Sequence, residues 1–411
     1  MHIIKKLLIK KWLLALSISI NVGLLLFFKY ANFFVENVNG VLSGIGFTHF
    51  KWTEIILPIG ISFYTFQTLT YSIDVYRKVH EPLKTVKDYL VYIMLFPQMI
   101  AGPIVRFNKI ADQIENRQDL ETIDNKLLGF FRFVIGLAKK VLIANVMGAQ
   151  ADNIFSFSGD ELTTSLAWIG IVAYSLQIYF DFSGYSDMAI GIGRMIGFKF
   201  PENFNNPYIS RSISEFWRRW HITLSSWMRD YLYIPLGGSR VNNSYRLYFN
   251  LWIVFLISGL WHGAAWNFVI WGAYHGLFLI LDKMFLLKVL GKIGKYPSII
   301  FTHFVTLVGW VIFRAESYEQ VKFYLSKMFV ADMSGETIYF DAKFWSIMLI
   351  GLIFSFIVAF KPGERLQNIV FYTDFKIKGI IVMAVVSVVL LLLSIGSITS
   401  SGFNPFIYFR F

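Results

Sequence analysis

The chain has 411 residues, of which 56% are hydrophobic and 16% are charged, whereas soluble globular domains carry about 25% charged residues. This excess of apolar surface needs a lipid solvent, so we predict one membrane domain over residues 1–411. The net charge of +12 does not predict nucleic-acid binding, because no polar domain can present a basic face. The absence of cysteine excludes disulfides, thiolate metal sites and a cysteine nucleophile.

The N-terminal segment is predicted to be the first membrane span. Its apolar run continues to Tyr30, which is too long for the core of a signal peptide, and no small-residue cleavage site follows it. The run is preceded by Lys5, Lys6, Lys10 and Lys11. Because basic residues stay on the cytoplasmic side, we expect the N-terminus inside the cell.

Further apolar runs predict a polytopic helical protein, since a transmembrane helix needs about 20 mostly apolar residues. Long runs lie at 12–30, 53–76, 127–147, 163–181, 298–314, 343–360 and 379–399. Shorter or interrupted runs lie at 88–105, 185–198, 247–261 and 266–281. Pro97 and Pro103 interrupt the first of these, so we expect a re-entrant segment there. We predict an all-α polytopic membrane protein with about 9–11 spanning and re-entrant helices.

The charges between these runs predict the topology. The stretches 77–87 and 201–246 are rich in lysine and arginine, whereas the loop 148–162 has acidic residues but no basic ones. We therefore place the basic stretches in the cytoplasm and the loop outside. The tail 401–411 is then extracytoplasmic, in a multi-pass protein of the cytoplasmic membrane.

Two carboxylates, Asp181 and Asp187, follow an apolar span. Buried carboxylates need partners. They could orient His221 or His262, or they could pair with an arginine such as Arg194. The sequence leaves these structural and orienting roles open.

A mixed basic and aromatic stretch follows at 213–240. Trp217, Trp220, Leu224 and Trp227 recur at helical spacing, which predicts one amphipathic helix at the cytoplasmic interface. Such a helix could simply anchor the protein to the membrane.

The same stretch could also form a gate for a phosphorylated donor such as coenzyme A. Arg218 and Arg219 would bind its phosphates, because the guanidinium group makes paired hydrogen bonds to phosphate, and Trp220 would contact the donor.

His262 is the most prominent candidate for catalysis, because it lies between two apolar runs. A histidine can accept a proton from an alcohol near neutral pH. The neighbouring Trp261 would orient its ring, and Gly259 and Gly263 would allow close approach of a substrate or helix. The alternative is a histidine that is hydrogen-bonded within a helix bundle.

The C-terminal tail carries one phenol, Tyr408, among four phenylalanines. A tyrosine hydroxyl can form an ester, so Tyr408 could carry an acyl group where no thiol exists. The alternative is an aromatic anchor at the membrane interface. No zinc-protease, serine-hydrolase or P-loop motif occurs in the chain, and we predict no metal site.

Four ordered motifs together resemble the membrane-bound O-acyltransferase family, with the alginate O-acetylases as the nearest branch and the D-alanyl transfer proteins of teichoic acid synthesis as cousins. They are FPQMIAGPIVRF (96–107), YFDFSGYSDMAIGIG (179–193), FWRRWHITLSSWMRDYLYIPLGG (216–238) and GLWHGAAWNFVIWGAYHG (259–276). The resemblance begins near Trp12, whereas such relatives usually begin with a further hydrophobic segment or two. It therefore implies either a shorter variant or a truncated sequence.

The resemblance implies a curved wall of tilted helices around a thin centre, reached by a funnel from each face. It assigns His262 as the catalytic histidine and His221 as the second family histidine. The tail motif FIYFRF resembles the end of a small partner protein in the D-alanyl system, which makes Tyr408 a candidate acyl relay, a side chain that carries the acyl group as an ester.

The implied activity is transfer of an acetyl group from a cytoplasmic thioester, such as acetyl-CoA, to an extracytoplasmic polysaccharide or cell-wall glycan of a bacterium. No permanently bound cofactor is expected, and a soluble extracytoplasmic acyltransferase would complete the transfer. One alternative is D-alanyl transfer from an acyl carrier protein to teichoic acid. Another, from a different class, is a transporter that uses His262 as a proton relay.

Overall fold

The computed structural model describes residues 2–99, 102–330, 339–372, 377–401 and 405–406. Within these ranges every regular element is helical. The α-helices are α1 His2–Gly44, α2 Ile61–Tyr76, α3 Val86–Met94, α4 Phe96–Met99, α5 Phe107–Glu115, α6 Ile123–Ala138, α7 Asn145–Phe155, α8 Thr164–Met195, α9 Ile213–Arg219, α10 Ile222–Met228, α11 Ser244–His262, α12 Trp266–Leu281, α13 Leu287–Ile293, α14 Lys295–Arg314, α15 Tyr318–Phe329, α16 Ala342–Phe356, α17 Lys361–Tyr372 and α18 Ile377–Ser401.

Several of these helices are joined by tighter or wider turns. Three segments are π-helical: Lys139–Ala144 between α6 and α7, Arg229–Tyr233 after α10, and Asp282–Leu286 after α12. The first of them makes residues 123–155 one continuous helical segment with a wide turn in its middle. Short 3₁₀ turns lie at Gln118–Leu120, Gly159–Glu161, Pro207–Ile209 and Ile357–Ala359.

Helix length and composition confirm an all-helical membrane protein. Among the described residues, 5 helices are long and apolar enough to cross a membrane: Ile9–Gly44, Thr164–Met195, Lys295–Arg314, Ala342–Ala359 and Ile377–Ser400. They contain or closely overlap the predicted runs 12–30, 163–181, 298–314, 343–360 and 379–399. The run 53–76 corresponds to a shorter helix, α2, because Pro58 and Gly60 precede its start and Gly60 adopts φ 77°.

The two runs predicted at 163–181 and 185–198 form one helix, α8, so their separation was wrong. The glycines that interrupt the apolar pattern of this segment lie where α8 contacts α6. A Cβ atom at Gly184 would lie 2.7 Å from the carbonyl oxygen of Gly136, and one at Gly191 would lie 2.5 Å from that of Gly129. Glycine at these positions therefore brings two helix backbones together without interrupting either helix.

The amphipathic helix predicted across 213–240 is also wrong, because α9 and α10 are separate. His221, between them, has φ 42°, a left-handed conformation that is uncommon for a residue other than glycine. The segment around Asn203 accounts for the break. The Asn203 carbonyl accepts the Ile222 N–H at 2.9 Å, and the Asn205 N–H donates to the Arg219 carbonyl at 2.9 Å. The four apolar residues of the predicted stripe are all buried in the protein rather than facing lipid: Trp217, Trp220, Leu224 and Trp227.

We predict that Gly136→Ala destabilises the protein, because its Cβ atom would lie 2.5 Å from the Gly184 carbonyl oxygen. Separating two packed helices should lower the free energy of unfolding by about 1–3 kcal/mol. The matched control is Gly23→Ala on α1, where a Cβ atom meets nothing within 4 Å. Thermal unfolding in detergent would measure both, and equal midpoints would contradict the close contact.

Candidate active site

His262 is the last residue of α11, and its side chain is buried among aromatic rings. Ring centroids lie 5.0 Å from Trp261, 5.2 Å from Trp271 and 5.3 Å from Phe313, all in edge-to-face arrangements. Gly263 ends the helix in an extended conformation, and a Cβ atom there would meet the ring of Phe268 at 2.0 Å. The aromatic contacts therefore define the orientation of the imidazole, while the glycine lets the chain leave the helix immediately.

The backbone around His262 is held by α1. The Lys29 ammonium donates to the carbonyl oxygens of Trp261 and His262, the latter at 3.2 Å. The Tyr30 hydroxyl donates to the Leu260 carbonyl at 2.6 Å. The last carbonyls of a helix have no partner within that helix and carry partial negative charge, so a cation and a phenol are suitable partners. The sequence analysis missed Lys29, although a lysine near the end of the predicted span 12–30 was a signal that could have identified it.

His221 is completely buried and is held by Asn203. Its Nδ1 lies 3.1 Å from Asn203 Oδ1, which also accepts from the Thr223 N–H at 3.3 Å and from the Thr223 hydroxyl at 2.8 Å. A backbone N–H can only donate, so the atom facing it is the carboxamide oxygen, and Nδ1 of His221 must carry the proton. Nε2 is then the acceptor, and it has no hydrogen-bond partner among the described residues.

Burial lowers the pKa of His221 to about 3, so this imidazole is neutral at physiological pH. His221 therefore presents a lone pair at Nε2 rather than a positive charge. Asn203 was not identified from the sequence. Its motif, an asparagine in a polar loop, is too common to single it out.

One ring links the two histidines. The centroid of Trp261 lies 6.1 Å from that of His221 and 5.0 Å from that of His262. Phe66 stacks on Trp261 at 5.4 Å, and Phe63 contacts its edge at 5.7 Å. The structure therefore brings His221, Trp261 and His262 together, and the orienting role expected for Trp261 stays a prediction.

A third buried histidine borders this group. The ring of His275 lies 5.0 Å from those of both Trp217 and Trp271. Since Trp271 also contacts His262, one tryptophan ring lies against both histidines.

The carboxylates Asp181 and Asp187 pair with cations of the helical segment that packs against α8. Asp187 lies 2.6 Å from both Arg132 and Lys139, and Asp181 is bonded to Lys140. The structure thus shows ion pairing for both carboxylates, and an orienting role towards a histidine stays a prediction. The pairs arise because the glycine contacts bring α6 and α8 close enough for short ion pairs.

The three candidate donor-binding residues differ in their surroundings. Arg218 is exposed. Arg219 is 2.9 Å from Glu215, and it also donates to the Asn205 carbonyl at 3.1 Å. Burial raises the pKa of Glu215, but the backbone N–H of Arg211 and the Arg219 guanidinium outweigh this and hold it below its usual value, so the carboxylate stays charged.

Trp220 lies in the aromatic core, and the donor contact expected for it stays a prediction. This side chain is only 3% exposed, and its ring lies 4.8 Å from Trp310 and 5.0 Å from Phe204. It therefore packs against rings from α14 and from the segment before α9. Tyr408, the candidate acyl relay, lies outside the described residues.

A separate cavity of about 1150 Å³ lies between α6, α8, α16, α17 and α18. Apolar side chains form most of its lining, together with six charged residues: Arg132, Lys139, Asp187, Glu202, Lys343 and Lys378. Neither His221 nor His262 lines it, so this cavity is distinct from the histidine site. Among the described residues, no group of three or more His, Asp or Glu side chains is arranged to hold a metal ion.

Fold and site together define a helical membrane protein in which two buried histidines share contacts with one tryptophan. The model of the membrane-bound O-acyltransferase family matches residues 83–289, half of the chain and both histidines. The chain therefore belongs to the membrane-bound O-acyltransferase family, which confirms the resemblance seen in its four motifs.

Individual relatives indicate the branch. The chain is 47% identical over 308 residues to the probable alginate O-acetylase AlgI of Azotobacter vinelandii, covering 75% of this chain and 60% of that protein. It is 41% identical over 340 residues to the peptidoglycan O-acetyltransferase of Helicobacter pylori, covering 75% and 63%. It is 31% identical over 243 residues to the teichoic acid D-alanyltransferase of Bacillus subtilis, covering 56% and 60%. The chain thus spans about 60% of the length of these curated relatives.

We predict that Lys29→Met destabilises the protein, because it leaves the carbonyls at the end of α11 without their ammonium partner. Losing these bonds at buried acceptors should cost about 1–3 kcal/mol. Lys11→Met, an exposed lysine on the same helix, is the control. Thermal unfolding in detergent would give both midpoints. A Lys29→Met protein as stable as the control would contradict a stabilising role of the hydrogen bonds from Lys29 to the end of α11.

Proposed function

We propose that this protein is a membrane O-acetyltransferase of the bacterial cytoplasmic membrane. It takes an acetyl group from a cytoplasmic thioester donor, such as acetyl-CoA, for O-acetylation of an extracytoplasmic polysaccharide or cell-wall glycan. The observation that carries the proposal is the buried group of His221, Trp261 and His262 within the region matched by the family model. The similarity to an alginate O-acetylase and to a peptidoglycan O-acetyltransferase supports acetyl as the group and a glycan as the acceptor.

In the proposed reaction, His262 is the general base. The acceptor hydroxyl gives its proton to the imidazole as its oxygen attacks the thioester carbonyl carbon. The C–S bond then breaks, the sulfur takes up the proton from His262, and an oxygen ester remains. Because a thioester is less stable than an oxygen ester, the transfer is downhill.

His221 has a different role in this proposal. Its Nδ1–H is committed to Asn203, and its neutral Nε2 is available as an acceptor. It would position the donor or assist proton transfer next to Trp261. This assignment is consistent with a histidine in a left-handed conformation whose Nδ1–H donates to a carboxamide oxygen that Thr223 also binds through its N–H and its hydroxyl.

The donor would arrive from the cytoplasmic side. Arg218 is the exposed cation of the motif and would bind a donor phosphate directly, while Arg219, already paired with Glu215, would contribute to the local positive potential. No permanently bound cofactor is part of the proposal, since the thioester is a substrate.

The acyl group would leave on the opposite face. With the N-terminus inside and the tail 401–411 outside, the Tyr408 hydroxyl would accept the acyl group as an ester and offer it to a soluble extracytoplasmic acyltransferase. The second candidate function is D-alanyl transfer from an acyl carrier protein to teichoic acid, which the 31% identity to the Bacillus subtilis protein supports.

We predict that purified protein incubated with isotope-labelled acetyl-CoA carries the label on its C-terminal peptide, measured by peptide mass spectrometry. His262→Gln should reduce labelling about 10²–10⁴-fold because the general base is lost, and Tyr408→Phe should abolish it because the acceptor oxygen is gone. His49→Gln, an exposed histidine, is the control and should label normally.

Full labelling of a folded His262→Gln protein would overturn the role of this histidine. If acetyl-CoA gives no label but a D-alanyl carrier protein does, the second candidate function replaces the first. Label on a different peptide that survives Tyr408→Phe would remove the relay while leaving the transferase activity in place.

A further inference from the structure

A buried ion pair between α8 and the turn after α6 has no role in the proposed reaction. Lys140, on the π-helical turn after α6, is 5% exposed, and Asp181, on α8, is 2% exposed. Their charged groups are bonded to each other. Burying two charges costs desolvation energy that their attraction often fails to recover, so a pair at this depth calls for a role beyond helix packing.

The C-terminal segment supplies further contacts for Lys140. The ammonium donates to the Pro405 carbonyl oxygen at 2.9 Å, a residue 265 positions along the chain. The same ammonium lies 4.8 Å from the centroid of the Phe406 ring, within the range of a cation–π interaction. Phe406 also meets the ring of Tyr185 edge-to-face, with centroids 4.9 Å apart.

These contacts suit a peptide segment that offers a backbone carbonyl and an aromatic ring. An ammonium has three donor hydrogens and no acceptor. Asp181 accepts one, the Pro405 carbonyl accepts another, and the positive charge faces the π-system of Phe406. Tyr185, one turn along α8 from Asp181, packs edge-to-face against that ring.

We propose that Lys140, Asp181 and Tyr185 form a docking site for the C-terminal segment of this chain, here called the tail seat. Asp181 neutralises the charge of the Lys140 ammonium and fixes its orientation. Lys140 binds the tail backbone at Pro405, and Tyr185 completes a pocket for the Phe406 ring. The tail is thereby held against α8 at a defined point instead of hanging free from the end of α18.

The tail seat is next to the histidine site along α8. Asp181 is followed by Phe182, whose ring centroid is 4.7 Å from that of His221. Tyr408 follows Phe406 by two residues, and two residues span at most about 7 Å of extended chain. Under the proposed function, docking of Phe406 would hold the acyl relay near this part of α8. This consequence rests on the proposed function, in which Tyr408 is the acyl relay; the docking itself does not.

The neighbouring lysine provides a matched control. Lys139 precedes Lys140 on the same turn but pairs with Asp187, whose second cation is Arg132. Replacing Lys139 removes a positive charge from the same turn, leaves Asp187 with a partner, and leaves the Lys140 contacts with Pro405 and Phe406 in place.

The test replaces Phe406 with the aromatic photo-crosslinker p-benzoylphenylalanine in the full chain and maps the cross-links by peptide mass spectrometry. We expect a cross-link to the α8 peptide that contains Tyr185. Its yield should fall at least about fivefold when Lys140→Met is combined with Asp181→Asn, which avoids leaving a buried charge unpaired, and should stay unchanged in Lys139→Met. An unchanged yield in the double variant overturns the tail seat.

Tyr185→Leu is a second variant in case the double variant does not fold. This half-buried residue contributes the aromatic wall without a charge, so its loss should also lower the cross-link yield severalfold, and an unchanged yield counts against the proposal. Labelling of Tyr408 from acetyl-CoA is measured on the same proteins. A lost cross-link with normal labelling shows docking that the relay does not need, whereas an intact cross-link without labelling counts against the proposed function and supports the seat.

Discussion

The carboxamide of Asn203 joins three parts of the chain around His221. Its oxygen accepts from His221 and Thr223, and its nitrogen donates to Ser186 on α8 at 3.0 Å. Thr223 in turn accepts the backbone N–H of Ile104 at 2.9 Å. In an apolar interior these groups have no water to replace a missing partner. This network therefore decides the left-handed turn at His221, the break between α9 and α10, and the tautomer of the buried imidazole.

A second constraint is the close approach of α6 and α8. Paired glycines put the two backbones in contact, and the cations on one side then reach the carboxylates on the other. Asp187 receives Arg132 and Lys139, while Lys140 binds Asp181. The ion pairs fix the rotation of α8 about its axis, and this rotation directs Phe182 towards His221.

Both ends of the chain meet this central framework. Near the N-terminus, Lys29 and Tyr30 bind the carbonyls at the end of α11 and hold the backbone of His262. Near the C-terminus, Pro405 and Phe406 contact Lys140 and Tyr185 beside α8. The histidine site thus depends on elements far apart in sequence, because a membrane helix bundle satisfies its buried polar groups wherever a donor and an acceptor meet.

The sequence by itself determined the class of protein, the family and the residues worth testing. Long apolar runs specify membrane helices whatever their neighbours are, and a histidine between two such runs stands out because ionisable groups are costly there. Only the tertiary structure decided that Trp220 is a core residue, that α8 is continuous and that the helix predicted at 213–240 is broken at His221. It also decided that Lys29, Lys140 and Asn203 are the hydrogen-bond partners of buried groups. These outcomes depend on which partner satisfies each buried polar group and on how closely two backbones approach. Such pairings join residues up to 265 positions apart, so no local pattern encodes them.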